Sequence, residues 1–375
     1  MKYSYWEHKT WFSNIDFAIV GSGIVGLSCA LTLRNKFPKS KIAVFEKGIL
    51  PSGASTKNAG FACFGSTSEI LDDLVNHSEE EVVALVKKRI EGLNALRATL
   101  GDSALDYQQH GGYELFTMDK PDLYEKCLSK IDYVNELLKD AFSSENEVFL
   151  VKNDPFSFKN VQKQVIFNQF EGQIDTGKMM QGLIQKCIKN DIFILNSSEI
   201  TSFSAKNDQI LLVLNNSEEI TTRQLLIATN GFAKQLLKED VRPARAQVLI
   251  TKPIPSLKIQ GAFHLDKGYY YFRNVNNRVL LGGGRNLDFE GETTTQFGLT
   301  EVIQNKLEAL LKTTILPNTT FEIDTRWSGI MGIGTQKKPI VQQLMPNVYC
   351  GVRLGGMGVA IGSSVGHQLA ELAQM

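Results

Sequence analysis

Three glycines and one acid carry the clearest chemistry in this chain of 375 residues. Gly21, Gly23 and Gly26 stand in GxGxxG spacing, directly after the apolar run 17–20 and ahead of an apolar stretch from Ile24 towards Phe37. That order predicts a buried strand, a tight turn and a helix. Gly21 permits the turn, Gly23 lets backbone approach a pyrophosphate, and Gly26 lets the helix lie against the strand. The helix start, with Ser22, Ile24 and Val25, then offers free N–H groups and the positive dipole end to the anion. Pro38 ends the helix, and a second apolar strand, residues 42–45, delivers Glu46 twenty residues after Gly26. That is the spacing of an acid that binds a nucleotide ribose.

The elements that must position this site follow from the rest of the chain. A hydrophobic content of 43% suffices for a packed core. Lys and Arg number 40, Asp and Glu 40, so no charge surplus points to nucleic acid or an anionic membrane. Five cysteines form no CxxC, and histidines at 8, 77, 110, 264 and 367 have no ligand spacing, so no metal is expected. Scattered thiols, a start without a leader-like apolar core and the absence of a spanning apolar run lead to the expectation of a cytoplasmic protein. Ser78-x-x-Glu81 predicts a capped helix that Gly101 closes. A strand at 111–116 and a helix at 122–141 then break the strand–helix alternation and suggest a second domain. A helix from Asp175 to Lys189 and short strands end in Ala228, Thr229, Asn230 and Gly231, where the nucleotide domain resumes. Asn276-Asn277 predicts a hairpin with arms 268–273 and 278–285, the second thinned by Gly282, Gly283 and Gly284. Glycines in a strand mark a close ligand or backbone approach. Near the C-terminus a strand, the loop 351–359 and a helix from Ala360 repeat the strand–glycine loop–helix theme. Trp6, Trp11 and Phe12 are expected to fasten the N-terminus to the fold.

Jointly these motifs resemble the FAD-dependent oxidoreductase family of D-amino-acid oxidase, glycine oxidase and monomeric sarcosine oxidase, over nearly the whole chain. The fingerprint with Glu46 carries the resemblance, as do the run from Gly53 to Gly60, the turn 228–231 and the C-terminal Gly355-Gly356-Met357-Gly358. The hairpin is similar to that of the amine-oxidising branch, including γ-glutamylputrescine oxidase. The resemblance implies non-covalent FAD bracketed by two helix N-termini, at Ile24 and near Val359. It adds Lys47, Ser55, Thr56, Lys57, Asn58, Ala59, Gly60, Ile200, Gly329 and Arg353 to the cofactor contacts. For Ile200 an ordinary buried strand position is the alternative, and for Lys57 and Asn58 a plain loop. It also implies Tyr270 and Arg285 over the flavin as substrate contacts, with Arg353 beside them; the alternatives are a core tyrosine and a solvated strand-end arginine. Cys63 reads as a small buried thiol beside the flavin loop.

Departures from the family pattern are informative. Arg353 stands where the family's loop begins with glycine. Met331 replaces the carboxylate-binding arginine of glycine oxidase. Ile330 falls where sarcosine oxidase attaches its flavin, and Leu281 where it carries its oxygen-activating lysine, so the electron acceptor stays open. The expected fold is α/β: a Rossmann-like FAD domain (1–75, 165–245, 325–375) interrupted by an α+β substrate domain (76–164, 246–324) with a mainly antiparallel sheet. The expected activity is oxidation of the C–N bond of a small amine or amino acid by hydride transfer to flavin N5. Oxidation of a 2-hydroxy acid, a tRNA-modifying flavin reaction and a non-catalytic flavoprotein are the alternatives, the tRNA role being disfavoured by the neutral charge balance.

Overall fold

The computed structural model describes residues 3–144 and 146–374. Its architecture is α/β, built on two eight-stranded sheets. The first runs Ile340–Met345, Val348–Val352, Glu218–Ile227, Ile15–Val20, Ile42–Phe45 and Phe193–Leu195 from edge to edge. All neighbours after the first pair are parallel. Ile42–Phe45 and Val348–Val352 are buried throughout, as near-continuous apolar runs in a doubly covered parallel sheet should be. An antiparallel meander, Ile200–Lys206 and Gln209–Leu214, branches from Glu218–Ile227.

Glycines set the close helix contacts on one side of this sheet. Helix Ile24–Lys36 meets helix Gly358–Leu372 where a Cβ on Gly366 would lie 2.6 Å from the Val25 carbonyl oxygen. Helix Glu79–Leu100 joins them through Gly92, whose Cβ would lie 2.2 Å from the Ala360 oxygen. Its capping box forms as the sequence predicts, with Ser78 and Glu81 bonding reciprocally.

The second sheet runs Ile323–Ile333, Arg242–Thr251, Arg278–Gly283, Tyr270–Val275, Ala262–Leu265, Gly112–Leu115, Gln164–Asn168 and Phe149–Asn153. Only Ala262–Leu265 with Gly112–Leu115 is parallel. The Asn276-Asn277 turn has both φ positive, at 48° and 60°, as a two-residue hairpin turn requires. One face of the sheet buries Phe263, Phe272 and Leu281 against Ile303 and Leu307 of helix Glu301–Leu310. The other, carrying Val248, Leu280 and Tyr271, turns towards Ala59 and Phe61.

Several elements differ from expectation. Gln164–Asn168 and Ile323–Ile333 pair in the second sheet, so divisions at 165 and 325 cut through its strands. Periodicity fixes a strand's faces but not its partners. The helix expected at 122–141 is two helices, Pro121–Ser129 and Ile131–Phe142, parted where Lys130 leaves helical geometry at φ −113°, ψ 3°. Of the three N-terminal aromatics only Phe12 is buried, stacked on Tyr3; Trp6 is 68% and Trp11 38% exposed.

Candidate functional site

A deep cavity lies between the carboxyl ends of the parallel strands, at Val20, Phe45 and Ala228, and the second sheet, at Ala246, Val248, His264 and Tyr271. Its empty space is about 1690 Å³ including the mouth.

The fingerprint glycines do separate jobs here. Gly21 has φ +103°, and a Cβ there would sit 2.8 Å from the Ala228 oxygen. A Cβ on Gly26 would sit 1.9 Å from the Gly21 oxygen. Gly23 faces only the Ser55 hydroxyl, 2.8 Å from its virtual Cβ; that hydroxyl accepts the Ile24 N–H at 3.0 Å. Glu46 is buried, and its Oε2 accepts the Ser22 N–H at 3.2 Å and hydroxyl at 2.9 Å. Its Oε1 accepts the Gly48 N–H at 3.0 Å and the Ser52 N–H and hydroxyl at 3.3 and 2.9 Å. The acid therefore organises the turn as well as facing the cavity.

At the far end, Asn230 Oδ1 accepts the N–H groups of Arg353 and Leu354, both at 3.1 Å, and pins the second glycine loop. Helix Gly358–Leu372 follows with no cap from the Met357 side chain. A Cβ on Gly53 would meet nothing within 4 Å, and on Gly356 nothing nearer than Met331 Sδ at 3.9 Å. Neither glycine has a positive φ. Protein packing does not demand glycine at these two places, and the open space above both leaves room for a ligand lying along the cavity. The residues thus fit a long dinucleotide with an anion at the Ile24 helix and electron-rich atoms at the Gly358 helix.

Most expected cofactor contacts converge. Gly21, 23–25, 46–47, Ser55, 57–59, Ile200, 228–231, Gly329 and 355–359 all line the cavity. Four sit behind it. Ser22 supports Glu46, Gly26 packs under the turn, Thr56 donates to the Pro51 oxygen at 2.7 Å, and Gly60 abuts the Ile174 oxygen.

The three expected substrate contacts are not in the cavity wall. Tyr270 pairs with Gly283 and points to the far face of its sheet, into the core with Phe272 and Ile303. Its neighbour Tyr271 lines the cavity instead, since adjacent strand residues face opposite ways. Arg285 opens a short turn beyond the strand, its guanidinium carbon 4.7 Å above the Phe289 ring. Arg353 has φ +66°, a left-handed conformation that favours glycine. Its guanidinium is held by Asp240 Oδ2 at 3.0 Å and the Lys338 oxygen at 2.9 Å.

A polar wall lies where no sequence motif marks it. His264 Nε2 is 2.9 Å from Glu171 Oε2, both side chains are buried, and the Phe64 N–H donates to Glu171 Oε1 at 3.0 Å. Cys63 completes a group whose ligand-type atoms lie within 4.8 Å of one another. Burial pushes the Cys63 thiol well up, and the Glu171 charge adds to it. Burial opposes charge on His264, but Glu171 outweighs it and holds the imidazole at about 9; burial likewise raises Glu171, but the His264 charge keeps that carboxyl below its ordinary range. His264 and Glu171 are far apart in sequence and belong to no spaced motif. The available signal was a single ionisable residue inside the apolar strand Ala262–Leu265, which burial obliges to find a partner. Glu69 and Tyr271 also line the cavity, and burial pushes Tyr271 up to about 12.

A parallel sheet with this glycine turn and acid, closed over by an antiparallel sheet, defines a dinucleotide-dependent enzyme class. The family model for FAD dependent oxidoreductases matches residues 16–372, and the chain belongs to that family. It is an FAD-dependent oxidoreductase. It is 20% identical to the probable oxidoreductase OrdL of Haemophilus influenzae, over 96% of this chain and 83% of the relative. In fold it is similar to L-proline dehydrogenase of P. horikoshii, with TM-score 0.75, 18% identity and coverage of 96% and 93% of the two chains. Glycine oxidase of Geobacillus kaustophilus has the same TM-score of 0.75, with 17% identity over 96% of this chain and 95% of that one. Among the described residues no helix is long and apolar enough to cross a membrane.

Proposed function

We propose that this enzyme oxidises the C–N bond of a small amine or amino acid. FAD, when bound, supplies the acceptor for the hydride leaving the carbon that bears nitrogen. The substrate then becomes an imine, which water hydrolyses to a carbonyl compound and ammonia or an amine. The observation that carries this reading is the cavity wall opposite the two glycine loops. Phe61, Ala246, Val248 and Met331 form an apolar surface interrupted by Tyr271, His264 and Glu69. Apolar side chains exclude water from the reacting carbon, and a few fixed polar groups orient the substrate. The names of the fold neighbours, glycine oxidase and L-proline dehydrogenase, agree with an amino-acid or amine substrate.

In this reading FAD is held without a covalent bond. Ile330 offers no nucleophile, and Cys63, the thiol lining the cavity, is kept protonated by burial and is therefore unreactive. Acid precipitation should leave the flavin in the supernatant; flavin in the pellet would show a covalent link. The test of the reaction is anaerobic photometry of the FAD-loaded protein with a panel of amines, amino acids and 2-hydroxy acids. Bleaching by members of the first two groups is expected. Bleaching by hydroxy acids alone would replace the reading with alcohol oxidation.

A further inference from the structure

We propose that His264 anchors the carboxylate of an amino-acid substrate, its Nδ1 donating to a carboxylate oxygen inside the cavity. This deepens the amine-oxidation reading and rests on it, by selecting amino acids over simple amines.

The placement comes first. His264 is 6% exposed, lines the cavity, and meets the Phe61 ring edge-on at 5.6 Å between centroids. Its Nε2 is taken by Glu171 at 2.9 Å, but Nδ1 has no hydrogen-bond partner among the described residues. That nitrogen is not among the fully enclosed unpaired atoms of the described residues, so it keeps surface that a ligand atom in the cavity can reach. Because Nε2–H must donate to the carboxylate, the proton on Nδ1 is the one available to the cavity.

Other cations are committed elsewhere. Arg285 and Arg353 lie outside the wall, and Met331 is neutral. Arg273, on the same face of the hairpin as Tyr271, is bound to the backbone oxygens of Ala59, Ile174 and Asn274. Lys47 and Lys57 also line the cavity but come from the nucleotide-binding segments, with their ammonium groups over the Phe232 and Phe297 rings. On the wall formed by the second sheet, His264 is the cation that faces the cavity.

The surroundings keep it charged. Glu171 pairs with it, Cys63 Sγ lies within 4.8 Å of the pair, Glu69 approaches from helix Thr67–Asp73, and Glu114 and Tyr271 stand in register with it on the flanking strands. Burial disfavours the proton, but the three carboxylates outweigh it, giving about 9. Glu69 also faces the cavity and offers an acceptor to the amino end of the same substrate.

The experiment uses the FAD-loaded protein and two unreactive probes, propionate and propylamine, with binding read from the change in the flavin absorption spectrum between pH 6.5 and 10. Propionate should bind with constant affinity up to about pH 8.5 and then weaken about tenfold per pH unit above about 9, as His264 gives up its proton. His264→Gln should weaken propionate at least tenfold and remove the break. Glu171→Gln should move the break to lower pH, which decides the matter even if His264→Gln loses FAD. Undiminished propionate binding in His264→Gln, a wild-type profile without a break, or tight binding of propylamine but not propionate would each overturn the anchor. Since both probes are inert, the anchor is tested even if no amine bleaches the flavin.

Discussion

Tyr271 and Gly282 face each other across the hairpin, and a Cβ on Gly282 would lie 2.6 Å from the Tyr271 ring. The glycine-thinned arm therefore makes room for a tyrosine and not for a ligand. Gly282 has no positive φ, so alanine is conformationally permitted and the clash alone is tested. Gly282→Ala should destabilise the protein by about 1–3 kcal/mol through overpacking. Gly282→Ala with Tyr271→Ala should show a favourable coupling, because the second change removes the clash. Denaturant unfolding of the two single variants and the double variant measures it, and strictly additive losses would contradict the placement of Tyr271.

The His264–Glu171 pair makes stability depend on pH. His264 is raised from 6.5 to about 9 in the fold, so its proton stabilises the native state fully below pH 6.5. That contribution, on the order of 3 kcal/mol, is lost as pH rises from 6.5 through 9. Glu114, raised from 4.5 to about 6 chiefly by its burial, loses its own contribution in the same direction over a lower window. Unfolding free energies at pH 6.5 and 9.5 should therefore differ more in the wild type than in His264→Gln. Equal differences would mean that His264 is neutral when folded.

Much of the nucleotide half was legible because its signals are local. Gly21, Gly23, Gly26 and Glu46 are fixed by a strand, a turn and a helix within one short segment, and the Asn276-Asn277 turn announces its own hairpin. The substrate wall was not legible, for two physical reasons. Choosing between Tyr270 and Tyr271 depends on which sheet face meets the cofactor, and a shift of one residue reverses every side chain. His264, Glu171 and Cys63 come from three separate segments that only the tertiary fold joins. The sheet membership of Gln164–Asn168 and Ile323–Ile333 was hidden likewise, since their partners are remote in sequence.

Glu46 and Gly23 should fail in different ways. Gly23→Val places branched carbons against the Ser55 hydroxyl and in the approach of the pyrophosphate, so FAD should be lost while the fold remains. Glu46→Ala strands the Ser22 and Gly48 N–H donors, adding about 1–3 kcal/mol of destabilisation to weaker FAD binding. Flavin content per chain and apoprotein unfolding, measured together, separate the two. A Glu46→Ala apoprotein as stable as wild type would show that water replaces the carboxylate at no cost.

Arg285 provides the sharpest contrast between sequence and structure. Its place at the end of a glycine-rich strand suggests a substrate clamp, yet the chain turns at Gly284, with φ +80°, and carries the guanidinium over Phe289. The Gly284 side of this turn meets Ile303 and Tyr270, the face of the sheet away from the cavity. Loss of the arginine removes a contact with an aromatic ring worth about 0.5–2 kcal/mol at a partly buried site. It should not remove a substrate contact. Arg285→Met is expected to reduce its flavin within twofold of the wild-type rate at every substrate concentration, measured by anaerobic stopped-flow with the substrate found by photometry. Loss of a desolvated arginine–carboxylate contact would instead cost about 2–5 kcal/mol, a slowing of more than tenfold at low substrate. A slowing of that size would place Arg285 on the substrate and require this turn to fold inward when the cavity is filled.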